Sequence, residues 1–437
     1  MLPLRILFQI SLSLTLIGAI PAEQRVLTIS QHQNQNDYSH QSSFIDSLYG
    51  EITGPTIKTF EEVISVENDN EWDKQFHAQH TSYLQLQSSL NLPSNDFVDD
   101  ILMDQNIFGG ILTFGHLEHF NCFNQENIDK TIDIAIVGAP FDTGVSYRPG
   151  ARFGPEAIRS NARRLMPGIQ TKRNKNKRYP IDPYNPSTHN YSIVDCGDVS
   201  LTPFDNRLAL NQLYRGQRAI HKHSGKQNKI PKIITLGGDH TITLMPLKSI
   251  SEQYGKPIQV FHFDSHIDTW DPKILGGGIT NYMSLNHGTF LHYAHEKGYI
   301  LESGNYHVGL RSPLIDAVYD EDHDSECGFN AISADDIDKI GVHGIISKLK
   351  SAIKHKDDPV YISVDIDVLD PAYAPATGTM EVGGFTTREL LAILNGLKGI
   401  NLVGADIVEV SPPYDTNSEI TSLAATAVVD TFLKLMT

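Results

Sequence analysis

From residue 132 to the C-terminus at residue 437, short apolar runs alternate with amphipathic stretches. The runs cover 132–137, 232–236, 258–263, 306–310, 360–364 and 402–408 and have strand length. Between and after them, 206–223, 241–254, 289–297, 342–354, 387–397 and 420–436 repeat apolar residues at helical spacing. This alternation predicts an α/β fold, a three-layer α/β/α arrangement whose mostly parallel central sheet is covered by helices on both faces. In such sheets ligands bind beyond the carboxyl ends of the strands. The residues that follow each apolar run are therefore where chemistry is expected.

Those residues are unusual. The run 232–236 ends in Gly237-Gly238-Asp239-His240, and 258–263 ends in Asp264-Ser265-His266-Ile267-Asp268. The run 360–364 ends in Asp365-Ile366-Asp367, and 402–408 ends in Glu409. Alternate residues of an extended segment point to one side, so Asp264, His266 and Asp268 can converge, as can Asp365 and Asp367. Four strand ends thus bring two histidines and several carboxylates to one sheet edge. Burying these carboxylates together is prohibitive unless cations neutralise them. Asp264, Asp268, Asp365 and Asp367 carry four negative charges, which two divalent ions would balance. Oxygen-rich donors with some imidazole suit Mn²⁺ better than a thiolate-type zinc site. Two such ions sharing carboxylates can hold a bridging hydroxide at neutral pH.

The composition narrows the partners. The chain holds 35 basic and 52 acidic residues, a net charge of −17. Such a surplus repels phosphate backbones, so no nucleic-acid partner is expected. It suits a cationic substrate. Residues 1–22 read as a signal peptide, with Arg5 as the basic n-region, an apolar stretch from Ile6 to Ile20 and a small-residue cleavage site at Ala22. Secretory entry is therefore expected, with no membrane attachment after cleavage, because no later stretch offers the roughly 18 apolar residues a span needs. Residues 23–125 read as an N-terminal leader, partly disordered and rich in Gln, Asn and His at 31–41, with a weak helical period between 60 and 92. The catalytic domain is expected to fill 126–437. Cys122, Cys196 and Cys327 can form at most one bridge, and their pairing is left open. The basic residues between 159 and 178 read as a solvated loop.

The motifs Gly237–His240, Asp264–Asp268 and Ser363-Val364-Asp365-Ile366-Asp367-Val368-Leu369-Asp370-Pro371 resemble the three signatures of the ureohydrolase family: arginases, agmatinases and related amidinohydrolases. Ser265 stands where the family usually has alanine, and Thr241 where serine is usual. The segment Pro140 to Pro155 and Asn286-His287-Gly288-Thr289 resemble the agmatinase versions most closely, whereas the loop 269–278 does not resemble the arginase loop that binds the α-amino and α-carboxylate groups. The resemblance implies an arginase-like fold and two Mn²⁺ ions. One would be held by His240, Asp264, Asp268 and Asp365, the other by Asp264, His266, Asp365 and Asp367. It implies that Asp268 and His287 handle protons and that Glu409 meets the guanidinium. The implied reaction is hydrolysis of agmatine to putrescine and urea by a metal-bridging hydroxide, in a homo-oligomer. Hydrolysis of another guanidino compound, such as guanidinobutyrate, remains open, as does a secreted, non-catalytic binding protein on this fold.

Overall fold

The computed structural model describes residues 108–166, 181–275 and 284–437. The expected signal peptide, most of the leader with its weak helical period, most of the basic loop and part of the loop 269–278 lie outside them. Within the described residues nine strands form one all-parallel sheet: β1 (Glu118–His119), β2 (Ile134–Ala139), β3 (Ile193–Asp198), β4 (Lys232–Gly237), β5 (Gln259–Phe263), β6 (Asn305–Leu310), β7 (Phe329–Ser333), β8 (Pro359–Asp365) and β9 (Asn401–Val408). Their spatial order is β1-β3-β2-β4-β9-β8-β5-β6-β7. β1 lies N-terminal of residue 126, within the segment read as leader, and pairs with β3.

The helices are α1 (Gly154–Asn161), α2 (Asn206–His221), α3 (Leu244–Tyr254), α4 (Phe290–Glu296), α5 (Ala317–Glu326), α6 (Asp336–Ala352, bent at Gly341), α7 (Thr387–Gly396) and α8 (Ile420–Met436). The central strands are buried on both faces, so their apolar residues divide between two cores. Ile134, Ile136, Phe261, Phe263, Ile362 and Val364 pack in one core with apolar residues of α1, α6, α7 and α8. Ala135, Val137 and Ile233 pack with α2, while Val260, Tyr361 and Val403 pack with α3 and α4. This is the three-layer α/β/α fold that the alternation predicts. Local signals set the helix ends: Asp205 caps α2 by accepting from the N–H groups of Arg207 and Leu208, and Thr386 with Glu389 forms a capping box on α7. No described helix is long and apolar enough to cross a membrane.

Periodicity misses β1, β3 and β7; β3 lies inside the sheet, whereas β1 and β7 are its edges. β3 reads Ile-Val-Asp-Cys-Gly-Asp, and its buried Asp195 is gripped by Arg159 of α1 through both carboxylate oxygens, at 2.9 and 3.0 Å, and also accepts from the N–H groups of Phe114 and Gly197. Cys196 of β3 is bridged to Cys122, leaving Cys327 as a buried thiol.

The order of strands explains where a site can form. β4, β9, β8 and β5 are consecutive in space, although they come from widely separated stretches of chain. Their carboxyl ends carry all four of the acidic and histidine motifs singled out in the sequence.

Candidate metal centre

β4 delivers His240 through a turn that only glycine fits. A Cβ on Gly238 would lie 1.8 Å from the carbonyl oxygen of Phe141, because the loop after β2 passes directly over it. Asp239 fastens that loop, accepting from the N–H groups of Gly144 at 2.8 Å and Thr241 at 2.9 Å. His240 then turns inward. Its Nε2 donates to Ser363 Oγ at 2.7 Å, and Ser363 in turn donates to buried Asp406 at 2.6 Å. This relay places the ring proton on Nε2 and leaves the Nδ1 lone pair facing the carboxylates. Nδ1 stands 3.0 Å from Asp264, 3.1 Å from Asp268 and 3.3 Å from Asp365.

A second grouping adjoins the first. His266 Nδ1 lies 3.2 Å from Asp264 Oδ1 and 3.1 Å from Asp367 Oδ2. Asp264 thus offers one oxygen to each group, as a bridging carboxylate must. Asp365 turns Oδ2 to His240 while its Oδ1 accepts from the Asp367 N–H at 2.8 Å. The six sequence-selected residues His240, Asp264, His266, Asp268, Asp365 and Asp367 are therefore brought together. Asp268 sits at φ 52° and Glu409 at φ 60°, left-handed conformations that cost a non-glycine residue about 1 kcal/mol or more. Both are held there by their surroundings: the Asp268 carbonyl accepts from Leu291, and the Glu409 N–H donates to Gly238.

The donor atoms fit cations. His240 Nδ1, His262 Nε2, Asp264 Oδ2 and Asp367 Oδ2 are buried with no hydrogen-bond partner, and all belong to these two groups. Unpartnered buried polar atoms are costly, and four on converging side chains need a shared positive partner. The electrostatics agree. Burial, together with neighbouring carboxylates, pushes Asp268 up to about 6 and Asp365 well above the usual range. Burial alone would lower His240 and His266, but the surrounding carboxylates outweigh it and raise both. Protons thus gather where divalent cations fit.

Several contributors escape sequence reasoning. His262 Nε2 is 3.1 Å from Asp264, and its Nδ1 meets His307 Nδ1 at 2.8 Å, which leads to Asp324 at 2.9 Å. The signal existed, since His262 precedes Asp264 by two positions in a strand. Arg311 gave none: its guanidinium donates to the carbonyls of Asp367, Leu369 and Glu381 and so fixes the Asp367 turn. Ser265 is more than a small filler, because its hydroxyl donates to Asp367 Oδ1 at 2.7 Å and leaves Oδ2 for His266.

His287 and Glu409 form the rim. Glu409 Oε1 accepts from the His240 N–H at 2.9 Å and faces His287 Nδ1 at 3.2 Å, while Oε2 is buried and unpartnered. The Ser146 N–H donates to His287 Nε2 at 3.1 Å, so that in the neutral ring the proton sits on Nδ1, facing Glu409. Burial opposes protonation of His287, but the hydrogen bond and charge of Glu409 outweigh it, and its pKa rises to about 8. Burial and Glu409 also lift Asp239 to about 7.

The Arginase family model matches residues 132–434. The chain is 46% identical over 343 residues to putative agmatinase 1 of Schizosaccharomyces pombe, covering 76% of this chain and 83% of the relative. It is 34% identical over 334 residues to the agmatinase of Chromobacterium violaceum, covering 76% and 90%. The solved structure of proclavaminate amidino hydrolase from Streptomyces clavuligerus superposes with a TM-score of 0.63 at 33% identity, covering 76% of this chain and 98% of that one.

Proposed function

The chain belongs to the arginase family and is an agmatinase-like ureohydrolase, and from that premise we propose that it hydrolyses agmatine to putrescine and urea with two bound divalent ions, best suited to Mn²⁺. The observation that carries this reading is the set of orphaned donor atoms on His240, Asp264, His262 and Asp367. His240, Asp264, Asp268 and Asp365 would hold one ion, and Asp264, His266, Asp365 and Asp367 the other, with His262 beside the first. When bound, the ions supply an activated water nucleophile and neutralise the carboxylates.

The remaining work falls to protein groups. Glu409 Oε2 is free to accept from the substrate guanidinium, since Oε1 is already taken by the His240 N–H. Water adds to the guanidinium carbon, the bond to the alkyl nitrogen breaks, and the departing amine takes a proton. Asp268 lies inside the cluster and can receive the water proton. His287, backed by Glu409, can pass a proton to or from the substrate side.

Substrate class follows from what the neighbouring loop is already doing. Thr269 donates to Asp324 at 2.6 Å, Trp270 to Asp320 at 3.1 Å, and Asp271 accepts from Tyr319 at 2.7 Å. These side chains are committed to α5 and are not offered to an α-carboxylate. An agmatine-type substrate is therefore favoured over arginine. Relatives named agmatinase support the same choice, while the likeness to proclavaminate amidino hydrolase keeps another guanidino substrate as the second reading. Urea release from agmatine, arginine and guanidinobutyrate by the manganese-loaded chain tests the proposal. Absence of urea from all three would leave the non-catalytic binding reading.

We also propose secretory entry and homo-oligomer assembly. The Cys122–Cys196 bridge supports the first, because disulfides persist in oxidising compartments. N-terminal sequencing of secreted protein, expected to begin near Glu23, tests it; an intact Met1 on cytosolic protein would sink it.

A further inference from the structure

Apart from the strand-end cluster, three metal-type donors meet between α4 and α5. His292 Nδ1 of α4 lies 3.0 Å from His323 Nε2 of α5. Cys327, the residue that ends α5, has its Sγ 3.8 Å from the same nitrogen. All three donor atoms lie within 4.8 Å of one another. His323 and Cys327 are one helical turn apart and so share a face. With zinc–nitrogen distances of about 2.0–2.1 Å and zinc–sulfur of about 2.3 Å, tetrahedral donors stand roughly 3.3–3.7 Å apart. The observed spacings straddle that range.

The outer partners also fit. His292 Nε2 faces Glu296 at 3.7 Å, and His323 Nδ1 faces Glu326 at 3.9 Å. Each imidazole thus turns one nitrogen inward and the other toward a carboxylate beyond hydrogen-bond distance, so the carboxylates favour the bound cation by charge alone. Burial and the nearby His323 hold His292 below its usual value, so it is neutral and able to donate a lone pair. Cys327 is buried, and burial pushes its thiol up to about 12. It therefore waits as a thiol, and a cation must displace its proton to solvent.

We propose that His292, His323 and Cys327 bind one zinc-type divalent cation, with water completing the tetrahedron. The donor set is two nitrogens and a sulfur, whereas the strand-end centre is mostly oxygen, so the two sites select different ions. The cation would tie α4, which follows His287 in the chain, to α5, whose Asp324 holds His307 and Thr269.

The chain has three cysteines, two of them bridged, so a thiolate–metal signal can arise only from Cys327. The test takes the full chain with its bridge intact, loads it with manganese, then titrates it with zinc or cobalt. The expected result is one further ion per chain after gel filtration, and with cobalt a thiolate-to-metal charge-transfer band. Cys327→Ser should lose both and keep its manganese. His292→Gln, on the other helix, should lose the same ion, and it carries the test if the serine variant does not fold. Equal zinc content in wild type and variants, or cobalt binding without the charge-transfer band, would overturn the proposal.

Discussion

A single carboxylate divides its oxygens between the two halves of the strand-end site. Because Asp264 faces His240 through Oδ2 and His266 through Oδ1, Asp264→Asn should disturb both ions, whereas His240→Asn or His266→Asn should chiefly affect one. Metal analysis decides this, and two ions at wild-type occupancy in the Asp264 variant would refute the bridging assignment. His287 permits a second prediction, made for the cation-free chain. Its folded pKa of about 8 exceeds the usual 6.5, so its pairing with Glu409 stabilises fully below pH 6.5. That contribution, on the order of 2 kcal/mol, is lost as pH rises from 6.5 through 8. The stability gap between wild type and Glu409→Gln should therefore narrow across that interval in denaturant titrations; a constant gap would count against the pair. The ligand-type residues were legible in the sequence because strand alternation and charge balance act on adjacent positions. Arg311 and Ser363 were not, because each works through contacts with residues remote in sequence, whereas His262 shares the strand alternation of Asp264 two positions on.

At the level of elements, the outer strands are secured by contacts that hydrophobic patterning cannot reveal. β3 carries Asp195 into the interior, and the α1 guanidinium of Arg159 makes that tolerable. Arg159→Ala should leave a buried carboxylate with its two backbone N–H donors but no counter-charge and cost about 3–5 kcal/mol, measured by chemical unfolding. A loss below 1 kcal/mol would show that water replaces the arginine. The Cys122–Cys196 bridge spans 74 positions and ties the segment after β1 to β3. Loop-closure entropy gives it about 4 kcal/mol. The double variant Cys122→Ser, Cys196→Ser should lose stability on that scale while retaining its bound manganese; unchanged stability would mean the bridge is incidental. The six strands with continuous apolar runs were anticipated within a few residues of their observed ends. β1, β3 and β7 were not, the first being two residues long and the others carrying polar residues accommodated by specific partners or by an outer position. α1 and α5 were likewise missed, the first being short and the second half acidic.

For the whole molecule, the decisive measurement is substrate choice. A carboxylate on arginine would enter a site already holding Glu409 and the ligand carboxylates, next to Thr269, Trp270 and Asp271, whose side chains are committed to α5. Its unpaired burial should cost about 3 kcal/mol, over roughly a hundredfold in kcat/KM relative to agmatine. Comparable rates would remove the agmatine preference and leave a broader amidinohydrolase. The sheet order has one further consequence, for how such a chain is made. β8 and β9 lie between β4 and β5, although they are synthesised long after both. The inner edge of β5 has no strand to pair with until β8 has left the ribosome, and that of β4 has none until β9 follows. Exposed edges of this kind invite association with other chains. A chain ending before Pro359 should accordingly aggregate instead of forming a smaller stable sheet, so the last stretch of the message closes the sheet and assembles the cation site in the same event.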